Sequence, residues 1–164
     1  MTDDPTDGMT LEEAREWLRK RIDKGAKCPC CRQFVKVYRR KLNSSMARAL
    51  IHFYTHSPTQ WFHADTAMKT MPGSRGDYVK LAYWSLIESK VDQDPDARAG
   101  WWRVTSLGRK FVLNDGTTVD SHAVLYDGIV LRRDGDPISI VAALGRHFNY
   151  NELMAERPFS LEPQ

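Results

Sequence analysis

Residues 76–110 constrain the fold more than any other stretch of this chain. Tyr78, Leu81 and Trp84 recur at three-residue spacing, which places them on one face of a helix and turns Lys80 and Tyr83 the other way. Leu86-Ile87-Glu88 then reads as the start of a strand, and an acidic loop follows with Asp92, Asp94, Pro95 and Asp96. Trp101–Val104 reads as the returning strand, and Thr105 opens a further short helix. The order is helix, strand, acidic loop, strand, helix. It predicts a two-stranded hairpin held between helices.

The chain has 164 residues, a length that favours one domain with small appendages. Its 41% hydrophobic content and 17 aromatic residues suffice for a core. No apolar run reaches the roughly 18 residues of a membrane helix. The acidic, polar start MTDDPTDGMT is the opposite of a secretion signal, so a cytoplasmic protein is expected. The formal charge of +3 conceals an asymmetry: residues 15–48 carry twelve Lys/Arg against Glu16 and Asp23, a local +10 that leaves −7 elsewhere. Such a block can attract a polyanion and orient it. A solvated basic helix face has the same composition, so charge alone leaves both open.

Residues 1–9 lack any apolar pattern and are expected to be disordered. Residues 10–42 form an N-terminal helix and a cysteine knuckle. Thr10 and Glu13 make a capping box, Leu11, Ala14, Leu18 and Ile22 form the apolar stripe, and Gly25 is the natural stop. This helix packs on its own domain or on a partner copy, and the sequence leaves open whether the chain is a homodimer. A β-prone run covers 34–38, and Arg39-Arg40-Lys41 is the densest positive cluster. Residues 43–113 form the main domain. Its first helix is capped by Asn43 or Ser44, runs to about His56, and buries Leu42, Met46, Ala49, Leu50 and Phe53. A short helix over 64–70 and a turn at 71–74 lead into the organising stretch. Residues 114–164 form an appendage. Three Asp-Gly signals, at 115–116, 127–128 and 134–135, predict turns between short strands. Asp136-Pro137 predicts a helix over 138–144 ended by Gly145, and Asn149 with Glu152 caps one more.

Three cysteines within four positions, Cys28, Cys30 and Cys31, suit a reducing compartment and metal chemistry better than a disulfide framework. Cys28 and Cys31 have knuckle spacing, and His52 and His56 lie one helical turn apart. Together they offer the four ligands of a structural Zn²⁺ site. The 20 residues between the pairs exceed the zinc-finger interval of about 12, though a strand and a turn could fill them. Cys30 or His63 could replace one ligand. The alternative is a core histidine, an exposed histidine and metal-free cysteines. Catalysis has little support. His52 to His56 lacks a zincin's glutamate, the cysteines lack a deaminase's upstream His-x-Glu, and no P-loop, dinucleotide fingerprint or nucleophile elbow is present. The expectation is a protein that is not an enzyme.

The run YVKLAYWSLIE followed by WWRVTSLGRKF resembles the recognition helix and wing of winged helix-turn-helix regulators of the MarR and PadR type. Ser85 stands where that family usually has glycine, and Val104-Thr105 with Gly108 stands for its Thr-x-x-Gly motif. The knuckle, the YRRKLN run from Tyr38, the segment 102–108 and the segment 148–154 are also similar to small phage or prophage proteins. The resemblance implies an α+β fold: a winged helix-turn-helix core with the N-terminal helix, the Cys knuckle, and a C-terminal β-hairpin and helix appendage. It implies double-stranded DNA as partner. Arg75, Lys80 and Tyr83 would then meet the major groove or its phosphates, with Ser74 a phosphate contact at the helix start. Arg39, Arg40, Lys41, Arg109 and Lys110 would supply attraction independent of sequence. The acidic wing tip points to a second expectation, an interaction module that binds a host protein.

Overall fold

A computed structural model describes residues 8–71 and 77–156 as a mixed α+β chain of helices and antiparallel sheets. The expected disordered start lies mostly outside the described residues.

The chain divides into two units. The first takes in residues 8–40 and Val124–Arg132. Its helix α1, Leu11–Arg19, begins as the sequence predicts: the Thr10 side chain accepts from Glu13 N, and Glu13 reaches back to Thr10 N. The helix ends earlier than expected, with Lys20 as its C-cap rather than Gly25, and only Ala14 is buried. Gly25 instead adopts a left-handed φ of +92° where the chain enters β1 (Ala26–Lys27). That backbone conformation favours glycine, while the Phe34 ring end, 2.4 Å from where a Cβ would lie, belongs to an exposed side chain that can move aside. β1 pairs antiparallel with β2 (Phe34–Val35), and β3 (Tyr38–Lys41) follows. The densest basic run therefore lies in an extended segment with all four residues exposed.

The second unit takes in residues 41–123 and 133–156, and holds the hydrophobic core. Helix α2, Ser44–His56, is its centre. Asn43 caps it by accepting from Met46 N at 2.9 Å. Seven consecutive or near-consecutive residues are buried, because the helix is covered on several sides by other helices. Burying Leu50, Ile51 and Phe53 contributes on the order of 2 kcal/mol each.

After α2 come β4 (Phe62–His63), α3 (Ala64–Lys69) and a helix over Asp77–Trp84. This last helix has 3₁₀ geometry throughout, where the three-residue apolar spacing suggests an ordinary helix. Leu81 and Trp84 are fully buried as expected. Tyr83 is not the outward residue the spacing indicates: it is half-buried against the core, and Val79 is exposed instead. Tightening the helix to three residues per turn rotates each later side chain away from its α-helical position. Ser85 then takes a left-handed φ of +57° and ends the helix.

β5 (Ile87–Ser89), the short α4 (Lys90–Gln93) and β6 (Trp101–Val104) form the expected hairpin. The sheet order is β4-β6-β5, antiparallel throughout. Glu88 stands opposite Arg103 and forms an ion pair at 2.6 Å. α5, Ser106–Leu113, starts at an N-cap Thr105 and packs on α2.

The C-terminal region departs most from expectation. β7 (Val119–Tyr126) and β8 (Ile129–Ile138) are long strands, ordered β3-β7-β8 in a second sheet. Asp127-Gly128 turns between them with both residues at positive φ, as Asp-Gly predicts. Asp134-Gly135 does not turn: it lies inside β8. The helix expected from Pro137 begins later, at Ile140, with Ser139 as its cap, because residues 136–138 still belong to the strand. α6 (Ile140–Leu144) and α7 (Tyr150–Ala155, capped by Asn149) both pack on α2.

Candidate functional site

The surface around the 3₁₀ helix and the hairpin is built by tertiary contacts that local sequence does not announce. The last carbonyls of the 3₁₀ helix find distant donors. The Thr105 hydroxyl donates to Ser85 O at 2.5 Å, and Arg133 donates to Tyr83 O at 2.7 Å and to the Ser85 hydroxyl at 3.2 Å. The Asp-Gly signal places Arg133 beside a turn, yet it helps to fix the end of the helix. On the helix, Lys80 donates to Asp77 at 2.7 Å. A half-exposed pair of this kind is worth little in stability, but it holds the ammonium in place. Ser74 and Arg75 lie outside the described residues.

Strand alternation sorts the hairpin into two faces. Phe62, Ile87 and Val104 face the core, with Trp102 against it. On the other face Trp61 lies under the Arg103 guanidinium at 4.4 Å, and Lys90 stands over Trp61 at 5.8 Å and Trp101 at 5.9 Å. His63 meets Trp101 edge to face at 5.3 Å between ring centres. No signal in the sequence links Trp61 to Arg103. Only the register of β4 against β6 brings the two together. Residues 92–96 at the tip are all exposed, and three of the five are aspartates.

The other expected contacts divide by environment. Arg109 turns back on its own helix start, donating to Val104 O and the Ser106 hydroxyl at 3.0 Å each, while Lys110 is exposed. Arg40 stands 5.2 Å over the Tyr38 ring, and Lys36 5.4 Å over the same ring. Arg39, Arg40 and Lys41 are all exposed, on consecutive strand positions that alternate in direction.

The expected metal ligands fall in different units, Cys28 and Cys31 in the first, His52 and His56 in the second. His52 is buried, and its Nε2 lies 3.0 Å from Ala67 O and 3.0 Å from the Thr70 hydroxyl. A carbonyl can only accept, so Nε2 carries the proton there. His56 likewise donates from Nδ1 to His52 O at 2.9 Å. A metal on His52 Nε2 would have to break both bonds that join α2 to the end of α3. Among the described residues no three His, Cys, Asp or Glu side chains are arranged to hold a metal ion.

Burial lowers the pKa of His52 below its ordinary 6.5, with further lowering from His56 and Arg48; the bond to Ala67 and the charge of Glu156 oppose this. A folded-state value below the unfolded one means that the unfolded chain takes up the proton first. The stabilisation is whole above about pH 6.5 and is lost as pH falls through the depressed folded value. Urea melts between about pH 7.5 and about pH 5.5 will show the midpoint falling with pH, and His52→Gln will flatten that slope. An equal slope in the variant would remove His52 as its source.

The knuckle is well formed. Cys28 N donates to Gln33 O and Arg32 N to Cys28 O, both at 2.8 Å, with Arg32 at a left-handed φ of +63°. The Cys28 thiol is held below its ordinary pKa, first by the backbone N–H of Cys31 and then by that of Cys30, with the neighbouring thiols adding to the effect. All three cysteines are free thiols.

Comparison of the chain with protein-family models, with curated proteins and with solved structures returns no match. Among the described residues no helix is long and apolar enough to cross a membrane.

Proposed function

We propose that the second unit is a winged helix-turn-helix and that the protein binds double-stranded DNA, as a cytoplasmic regulator or DNA-associated accessory factor that acts by binding rather than catalysis. The observation that carries this reading is connectivity. α2, β4, α3, the 3₁₀ helix, β5, the short α4 and β6 follow one another with sheet order β4-β6-β5, the arrangement in which helices are followed by a strand hairpin that forms a wing, here with α4 in its connection. Thr105 and Gly108, which stand for the family's Thr-x-x-Gly motif, follow the second strand, and the Thr105 hydroxyl joins it to Ser85 at the end of the helix. On this reading Lys80, which is paired with Asp77 on the same helix, exchanges that partner for a phosphate. Arg39, Arg40 and Lys41 add an exposed basic strand whose attraction does not depend on base sequence.

Duplex binding followed by gel shift across a salt series tests this reading. Lys80→Glu and the pair Arg40→Glu with Lys41→Glu are expected to weaken binding to all duplexes. Removing one cation from the phosphates lowers the slope of log K against log salt by about 0.9. Equal affinity and slope in the variants would overturn the assignment.

The exposed aspartates at 92–96 favour a second reading, a scaffold whose wing docks a basic protein surface. A partner retained from lysate after nuclease treatment and at high salt would favour it over DNA.

A further inference from the structure

We propose that the Cys28–Cys31 knuckle is one half of a tetrahedral thiolate site for a soft divalent ion of the zinc type, and that a second copy of this chain supplies the other half. The knuckle is already shaped for a metal. The β1–β2 pair holds both ends of the turn, through Ala26↔Val35 and Lys27↔Phe34. Arg32, in left-handed conformation, folds the chain back so that its N–H reaches Cys28 O. Cys28 N in turn donates to Gln33 O at 2.8 Å, so Cys28 and Cys31 sit three residues apart on one closed turn, the spacing of a two-thiolate knuckle. Sulfur donors select zinc, copper(I) or iron over magnesium and calcium.

The ligand number directs the site outward. A structural zinc takes four ligands, and among the described residues no three candidate side chains gather around one position. Cys30 and Cys31 are exposed, so the open side of the knuckle is accessible. Two identical knuckles related by a two-fold axis through the metal give four thiolates with no further residue required, and two-fold dimers are the commonest closed assembly.

Charge favours the same occupant. Lys27 and Arg32 flank the cysteines and are both exposed, so two bare knuckles repel one another. Zn²⁺ with four thiolates carries two net negative charges, which the two Lys27 and two Arg32 side chains of a dimer surround. Pairing therefore depends on the metal. When the bonds form, each ligating thiol passes its proton to solvent, four per metal. Nothing is oxidised or reduced.

The test uses the full chain with a non-thiol reductant, and Zn²⁺ alone as the probe. Native mass spectrometry and sedimentation are expected to give one zinc per two chains and a doubled mass that a chelator reverses. Cobalt(II) in place of zinc should give the intense sulfur-to-metal absorption of a four-thiolate site. Cys28→Ser and Cys31→Ser each abolish metal uptake and the dimer, while Cys30→Ser keeps both. One zinc per monomer, a dimer indifferent to chelator, or no zinc uptake by the reduced wild-type chain would each overturn the proposal. The wild-type chelator arm needs no variant to fold, and no arm involves DNA, so the outcome is separate from that of the winged-helix reading.

Discussion

Gly108→Ala destabilises the second unit by about 3 kcal/mol, and the melting temperature falls by roughly 6–12 °C. Helix propensity alone predicts the opposite sign, since alanine gains about 1 kcal/mol over glycine within a helix. Space decides the outcome. A Cβ on Gly108 would lie 2.1 Å from the Leu86 carbonyl oxygen and 2.8 Å from Val104 Cγ1. The first neighbour is backbone and cannot swing aside. That carbonyl also accepts from Thr105 N at 3.1 Å, so moving it breaks the bond between the strand start and the cap of α5. Thermal and urea melts of the variant measure the effect. A variant as stable as wild type would mean that α5 does not approach Leu86 this closely.

Trp84→Ala costs about 3–5 kcal/mol, the largest effect expected from any single truncation here. The indole is 1% exposed and is the largest fully buried side chain of the core. Its Nε1 donates to Asp120 O at 2.7 Å, joining the 3₁₀ helix to β7 across 36 residues of sequence. Two penalties therefore add: the cavity, and a carbonyl left without its donor. Trp84→Phe separates them. It keeps most of the ring volume but not the hydrogen bond, and should cost about 1–3 kcal/mol. Urea melts that rank Phe equal to Ala would assign the effect to the hydrogen bond rather than to packing.

Elements set by short-range chemistry are legible in the sequence. Thr10, Asn43, Thr105 and Asn149 each cap the helix that a side-chain oxygen near free N–H groups predicts. Asp127-Gly128 turns as its positive φ values require. Asp134-Gly135 carries the same dipeptide signal and lies in a strand, where the neighbouring Arg133 is held by groups about 50 residues away. No local rule contains that partner. The same limit governs the candidate site. The spacing that puts Leu81 and Trp84 inside misplaces Tyr83, because an apolar spacing of three fits both an α-helix and a 3₁₀ helix. The pairing of Trp61 with Arg103 depends on strand register, and the bonds that commit His52 depend on where α3 ends.

The two ends of the β5–β6 hairpin differ in kind. At the closed end Leu86, Gly108, Thr105 and Ser85 interlock, so almost any substitution there is a substitution in the fold. At the tip, Asp94 N donates to Lys90 O, Ala97 N to Asp94 O, and Asp96 N to the Asp94 carboxylate, so these bonds close on the tip itself. Gln93 is tied to the strand, its amide donating to Glu88 at 2.7 Å, but Asp92, Asp94, Pro95 and Asp96 around it can drift or change sign over evolutionary time at little cost to the core. A lineage could exchange one partner for another by rewriting those exposed positions, while the scaffold beneath is inherited unchanged.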